Sequence, residues 1–344
     1  MRYRFLGDSG LLVSVLGLGT WITFEEDDAE AVDQAYALMK HAFTHGVNFF
    51  DNAECYGNGQ SERVMGRAVH RGIDEGVWTR SDLVLTTKIF MGTSTGPNAH
   101  GLSRKHVLEG VKASLQRLEL DYVDVVYCHR PDPRTPIEET VRAMNNVIDQ
   151  GWAFYWGTSE WTSHDILTAC EVADRLGLMR PICEQPQYNL FERSKVDVHY
   201  HVLYRKYNFS VTTFSPLAYS VLTGKYRDGV PTDSRLASEH YRTFVPEFER
   251  RVQQAEQLRP IAEELGCSMG QLALAWCASN PRVASVIMGA KNQTQLDENL
   301  GALRVLERFT DELKQRMEAV IPFIPKLPVL DMRYSTMRDH YFTE

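Results

Sequence analysis

Val47-Asn48-Phe49-Phe50-Asp51-Asn52-Ala53-Glu54-Cys55-Tyr56 decides how this chain is read. A short apolar, β-favouring run ends in an acid, and a tyrosine follows five residues later. Apolar residues without alternation are the pattern of a parallel strand buried on both faces. Tyr56-Gly57-Asn58-Gly59 then supplies turn chemistry. In a repeated β/α architecture, polar groups at the C-terminal ends of strands are where chemistry is expected. The question is whether other strand ends bring partners to Asp51 and Tyr56.

The same alternation extends in both directions. Strands are expected at 15–21, 47–51, 82–88, 122–129, 153–159, 182–185, 210–215 and 283–288. Asp27-Asp28-Ala29-Glu30 opens the first helix, apolar residues from Ala31 to Phe43 continue it at helical spacing, and Gly46 stops it. Further helices are expected at 61–70, from Ser103 to 118, from Pro136 to 150, at 163–176, 195–207, 246–265 and 268–279, and from Thr294 onward. Residues 3–16, with Gly7-Asp8-Ser9-Gly10 at the turn, read as a preceding β-hairpin. Eight strand–helix repeats predict a (β/α)₈ TIM barrel with an N-terminal hairpin and extra C-terminal helices. The alternative is a doubly wound Rossmann sheet, but no G-x-G-x-x-G follows the first strand, and Gly57-Asn58-Gly59 is only a loop G-x-G. No internal linker is evident. One domain is expected over 1–344, with its core at about 3–325 and a tail from about Pro322 that carries Pro325 and Pro328.

Composition narrows the function classes. Of 344 residues, 43% are hydrophobic, enough for a large core, yet no run approaches the length of a membrane span. The first eight residues lack a signal-peptide pattern, so a cytoplasmic protein is expected. A net charge of −8 argues against nucleic acid as the main partner. Cys55, Cys128, Cys170, Cys183, Cys267 and Cys277 show no C-x-x-C spacing, so reduced thiols are expected rather than a zinc or redox site. His199-Tyr200-His201 resembles a metal pair, but falls in an expected helix where i and i+2 do not share a face, so no metal is assigned.

Successive strand ends carry Asp51 (with Tyr56 in its loop), Lys88 and His129. Adjacent parallel strands lie about 4.8 Å apart, so these groups can converge on one rim. A free phenol has a pKa of about 10, roughly three units too high for proton exchange near neutrality. Three units are about 4 kcal/mol. An ammonium about 4 Å away supplies about that much at an effective dielectric near 20. Asp51 would keep Lys88 charged and oriented, and His129 would hydrogen-bond the substrate oxygen. A positioned proton donor without a metal or nucleophile suits carbonyl reduction, with the hydride taken from a nicotinamide because no side chain provides one.

With these segments in view, the chain resembles an aldo-keto reductase over roughly residues 3–325. The segments are Leu16-Gly17-Leu18-Gly19-Thr20-Trp21, Phe50 to Gly57, Thr87-Lys88, His129-Arg130-Pro131, Trp156-Gly157-Thr158-Ser159, Gln185, Phe214-Ser215-Pro216-Leu217 and Gly289-Ala290-Lys291. Thr135 to Thr140, Tyr155 to Trp161 and Thr223-Gly224-Lys225-Tyr226 resemble the voltage-gated potassium channel β-subunit branch. The resemblance implies a catalytic tetrad of Asp51, Tyr56, Lys88 and His129, and NADPH/NADP+ extended across the barrel mouth. It places Gly19, Thr20, Trp21 and Asp51 along the cofactor, Ser159 and Gln185 on its carboxamide, and Phe214 against the nicotinamide. Ser215, Pro216, Leu217, Ala218 and Lys225 would follow the pyrophosphate. Arg235, Gly289, Lys291 and Gln295 would meet the adenosine 2′-phosphate, with Glu298 and Asn299 on the adenine. Cations there favour NADPH over NADH. Trp21, Phe24, Tyr56, Phe90, His129 and Trp161 are expected around the substrate, with specificity set by loops 22–24, 89–101 and 219–246. The branch implies a homo-oligomer, a tetramer, and a potassium channel cytoplasmic domain as a possible partner besides a small carbonyl substrate. Three positions depart from the branch pattern: His129 stands where channel subunits of mammalian type usually carry Asn, Phe214 where Trp is common, and Glu160 where Arg is common.

Overall fold

The computed structural model describes residues 1–21, 28–232, 234–325 and 337, without the side chain of Arg235. The hairpin pairs β1 (Tyr3–Phe5) with β2 (Leu12–Ser14) antiparallel. Eight parallel strands follow: β3 (Leu16–Gly19), β4 (Phe49–Asp51), β5 (Val84–Ile89), β6 (Val123–Cys128), β7 (Ala153–Ser159), β8 (Cys183–Gln185), β9 (Ser210–Thr213) and β10 (Val283–Met288). They close in chain order, with β10 pairing β3, into the expected (β/α)₈ barrel. Strands β3 to β6 are buried along their whole length, as expected of parallel strands covered by helices, whereas β7 exposes Phe154 near its start.

Local signals set the helices. In α1 (Ala29–Thr44), Asp28 accepts the Ala31 N–H, and Ala35, Leu38, Met39 and Ala42 face the barrel. α2 (Gln60–Asp74) lies against α3 (Arg104–Leu118), whose N-cap is Ser103. Gly66 allows that approach, because a Cβ there would stand 2.1 Å from the Leu118 carbonyl oxygen. α4 (Ile137–Asp149) and α5 (Ser163–Leu176) complete the middle of the ring.

Two expected helices differ. The segment 195–207 divides into a π-helical turn at Lys195–His199 and α6 (His201–Tyr207). His199 and His201 thus fall in different elements, and His201 Nε2 faces the Asp197 carbonyl at 2.8 Å. After a short α7 (Glu239–Arg242), the helix expected at 246–265 divides into α8 (Phe248–Glu256) and α9 (Arg259–Leu265). Pro260, which lacks an N–H, is tolerated at the start of α9 but not inside a continuous helix. α10 (Met269–Ser279) begins with a Ser268/Gln271 capping box. α11 (Gln293–Leu300), α12 (Ala302–Glu307) and α13 (Asp311–Val320) follow β10. The tail from Pro322 lies largely outside the described residues.

The hairpin covers one end of the barrel. Leu6 and Val13 pack with Phe49, Val125, Tyr127, Cys183 and Ile287 in the barrel interior. The Gly7 N–H donates to Ser210 Oγ at 2.7 Å, and Arg4 donates to the carbonyls of Ala278, Asn280 and Val283.

Candidate active site

The C-terminal ends of the strands surround an elongated cavity of about 590 Å³. Asp51 ends β4, Lys88 lies in β5, and His129 follows β6. Their register is fixed by the ladders, with Asp51 opposite Thr86 and Lys88 opposite Tyr127. Lys88 is fully buried, and its ammonium donates to Asp51 Oδ2 at 2.5 Å, to the Asn52 carbonyl at 2.7 Å and to the Tyr56 hydroxyl at 3.2 Å. Asp51 Oδ1 accepts from Thr86 Oγ1 at 2.8 Å and Gln185 Nε2 at 3.0 Å, which orients the carboxylate. The His129 ring meets the Tyr56 ring edge-on, with centroids 5.8 Å apart. The four groups thus share one rim.

Electrostatics follow from burial. Desolvation lowers the Lys88 pKa from its ordinary value, against the pull of Asp51. His129 is held well below the usual imidazole range by burial, then by Arg130 and Lys88, so it is neutral near pH 7. Burial pushes the Cys55 thiol up to about 12. Although Cys55 lines the cavity, it is therefore a thiol and not a thiolate nucleophile.

The expected cofactor positions divide into two sets. Gly19, Trp21, Asp51, Ser159, Gln185, Phe214, Ser215, Pro216, Leu217, Lys225, Gly289, Lys291 and Gln295 line the cavity. Thr20, Ala218, Glu298 and Asn299 do not line it. Thr20 donates to the Asp51 carbonyl, and Ala218 is buried. Glu298 accepts from Gln271, and Asn299 donates to the Gly289 carbonyl. Arg235's side chain and Phe24 lie outside the described residues. The lining combines two chemistries: Tyr56 and His129 follow β4 and β6, and Lys291 and Gln295 follow β10. A dinucleotide fits this arrangement. The Gln185 amide bonds Asp51 and the Ser159 hydroxyl bonds the Gln185 carbonyl, polar groups that suit a carboxamide. Phe214 adds an aromatic ring to the lining, and Lys225 and Lys291 supply positive charge for phosphates.

Phe90 and Trp161, expected around the substrate, do not line the cavity; both are core residues, 3% and 2% exposed. The buried Glu54 carboxylate accepts the N–H groups of Phe90 and Gly92, each at 2.7 Å, which pins the loop after β5. Met91, between them, lines the cavity in place of Phe90. Trp161 donates its backbone N–H to Glu184, and its carbonyl accepts from Tyr200. Glu160 does not line the cavity either, because its carboxylate pairs with Lys195 at 2.7 Å and accepts the Gln187 N–H.

Several lining residues went unassigned from sequence: Cys55, Met91, Arg130, Gln187, Tyr219, Ser220 and Phe244. Met91, Tyr219 and Phe244 lie inside loops 89–101 and 219–246, but loop composition does not show which side chain turns inward. Tyr219 stacks on Phe244 at 5.7 Å and meets Trp21 edge-on at 6.1 Å, forming an aromatic wall. Ala218, Tyr219 and Ser220 are three successive non-glycine residues with φ of 47°, 56° and 71°, in the left-handed region.

A parallel barrel with acid, lysine, tyrosine and histidine on its C-terminal rim defines a class of oxidoreductase. The chain belongs to the aldo/keto reductase family, whose family model matches residues 15–322. Within that family it is similar to a protein from Arabidopsis thaliana named "Probable voltage-gated potassium channel subunit beta", 53% identical over 334 residues that cover 95% of this chain and 99% of the relative. A protein of the same name from Oryza sativa subsp. japonica is 54% identical over 332 residues, covering 95% and 98% respectively. Membership supports an oxidoreductase, in a family that generally uses NAD(P)H.

Proposed function

We propose that this protein reduces aldehydes or ketones to alcohols with NADPH, and that Tyr56 is the general acid. One observation carries the reading: the Lys88 ammonium lies within 3.2 Å of the Tyr56 hydroxyl and 2.5 Å of Asp51 Oδ2. When bound, the reduced nicotinamide supplies the hydride that the carbonyl carbon accepts. As negative charge develops on the substrate oxygen, Tyr56 Oη delivers its proton there, and Lys88 stabilises the phenolate left behind. Asp51 keeps Lys88 oriented. Neutral His129 can donate one N–H to the same oxygen. Ser159 and Gln185 would hold the carboxamide and Phe214 the ring face. Ser215, Leu217 and Lys225 would hold the pyrophosphate, and Arg235, Lys291 and Gln295 the 2′-phosphate. Glu298 and Asn299 would meet the adenine.

The test is NADPH fluorescence titration followed by single-turnover oxidation with a nitrobenzaldehyde, on the native protein and Tyr56→Phe. Tight binding with turnover that Tyr56→Phe abolishes supports the reductase. An absence of both binding and turnover refutes it.

The names of the two plant relatives favour a second, compatible reading, a β subunit of a voltage-gated potassium channel; we propose for that role NADP(H) sensing, a cytoplasmic place and assembly as a tetramer. Among the described residues no helix is long and apolar enough to cross a membrane; the contact proposed is with the channel's cytoplasmic domain. A monomeric mass in light scattering, or failure to co-purify with a co-expressed channel, counts against this reading.

A further inference from the structure

The seam between α1 and α11, outside the cavity, brings together two imidazoles and a carboxylate that the reductase reading does not use. His41 lies in the last turn of α1 and His45 is its C-cap residue, so a spacing of four brings their rings together at a tilt of 41°, with centroids 4.4 Å apart. Asp297 comes from α11, and its Oδ1 lies 2.6 Å from His41 Nε2. One ligand atom from each of the three residues can be taken such that all lie within 4.8 Å of one another, the one such group among the described residues.

Hydrogen bonding fixes which atom of His45 is available. His45 Nδ1 lies 2.8 Å from the His41 carbonyl oxygen, which can only accept. Nδ1 therefore carries the proton, and Nε2 keeps a lone pair. Metal-ligating histidines are oriented in this way, the second nitrogen bonded to a carbonyl or carboxylate. The seam is already tied nearby, because Gln34 Nε2 donates to the Lys291 carbonyl at 2.8 Å. The adjacent cations are themselves compensated: Lys40 pairs with Glu75, and Arg71 with Asp33 and Glu75.

We propose that His41, His45 and Asp297 form a binding site for a divalent transition-metal ion of the zinc class, with water completing the coordination. Two imidazole nitrogens and one carboxylate oxygen form a donor set that suits zinc, with an open fourth position. Two donors each about 2.1 Å from one zinc ion stand about 3.4 Å apart in tetrahedral geometry. The present 2.6 Å contact must therefore open by roughly 0.8 Å and release to solvent the proton that His41 Nε2 shares with the carboxylate, and Asp297, more than half exposed, can supply the opening by rotation.

The experiment titrates the full chain, stripped with chelator, with zinc in a calorimeter and with cobalt followed by visible absorption. One equivalent is expected to bind in the micromolar range and to raise the thermal midpoint. His41→Ala and His45→Ala should each weaken binding by about tenfold or more, and Asp297→Asn should weaken it less. His201→Ala should leave it unchanged. Metal-free midpoints of the variants confirm that each is folded. Absence of binding at millimolar zinc overturns the site, as does an affinity unchanged in a His41→Ala/His45→Ala double variant.

Discussion

Lys88→Met removes the buried charge on which the proposed chemistry rests. At 3.2 Å and an effective dielectric near 20, the ammonium favours the Tyr56 phenolate by about 5 kcal/mol, or about four pKa units. Asp51, 2.5 Å from the same ammonium, offsets part of this, so the figure is an upper one. Without the ammonium the phenol returns toward about pH 10 and becomes a poorer acid. Single-turnover oxidation of NADPH by nitrobenzaldehyde should slow by roughly 10²- to 10⁴-fold. The alkaline limb of the pH profile, where the acid is already deprotonated, should move upward. Methionine also leaves Asp51 buried without its cation, a loss of about 3–5 kcal/mol when one partner of a buried pair is removed. Thr86 and Gln185 still donate to that carboxylate and soften the loss. The double variant Lys88→Met/Asp51→Asn separates the two effects: stability should recover and the rate should not. A Lys88→Met rate within about threefold of native, or a rate restored in the double variant, would refute the assignment.

Other outcomes follow from single positions. Burial pushes the Glu184 carboxyl up to about 7, against Lys195 and the Thr158 hydrogen bond, so its stabilising contribution is full below about pH 4.5 and is lost as pH rises through about 7. Glu184→Gln cannot ionise, and urea denaturation across that window should show the variant gaining up to about 3 kcal/mol on the native protein; parallel pH curves would count against this. Gly66→Ala drives a Cβ into the Leu118 carbonyl and should cost about 3 kcal/mol or more, read as a fall in thermal midpoint; an unchanged midpoint would mean that α2 and α3 part easily. Ser220→Gly relieves the last of three left-handed residues and should stabilise by up to about 1 kcal/mol, whereas a loss of that size in denaturant melts would contradict the strain. His129→Asn should lower turnover without removing a titration between about pH 6 and 8, because His129 is already neutral there.

The barrel was legible because most strands are β-favouring, mainly apolar runs between turn signals, as at Val123 to Cys128 around the single Asp124, and parallel strands admit few other arrangements. The rim was legible for the same reason: Asp51, Lys88 and His129 each end or follow such a run, so topology alone brings them together. Orientation beyond a strand end was not. Phe90 and Met91 are neighbours of similar hydropathy, and what turns Met91 inward is a carboxylate 36 residues earlier accepting the Phe90 and Gly92 N–H groups. The division of 195–207 likewise depends on long-range bonds, among them Lys195 to the Glu160 carbonyl and Tyr200 to that of Trp161. The Pro260 break, by contrast, is written in the chain, because a proline cannot continue a helix past its first turn.

The hairpin that covers the barrel has a consequence for proton traffic. With Leu6 and Val13 filling the end away from the cavity, the interior among the described residues is a well that opens at the cavity end. On the proposed reduction, nucleotide and carbonyl compound would occupy that mouth and cut the buried Asp51–Lys88 pair off from bulk water. The proton that Tyr56 would give up in one cycle would then be replaced through the opening by which the alcohol departs. Departure would come first and reprotonation second, so a solvent isotope effect on the steady-state rate should report the reopening of the well rather than the hydride step.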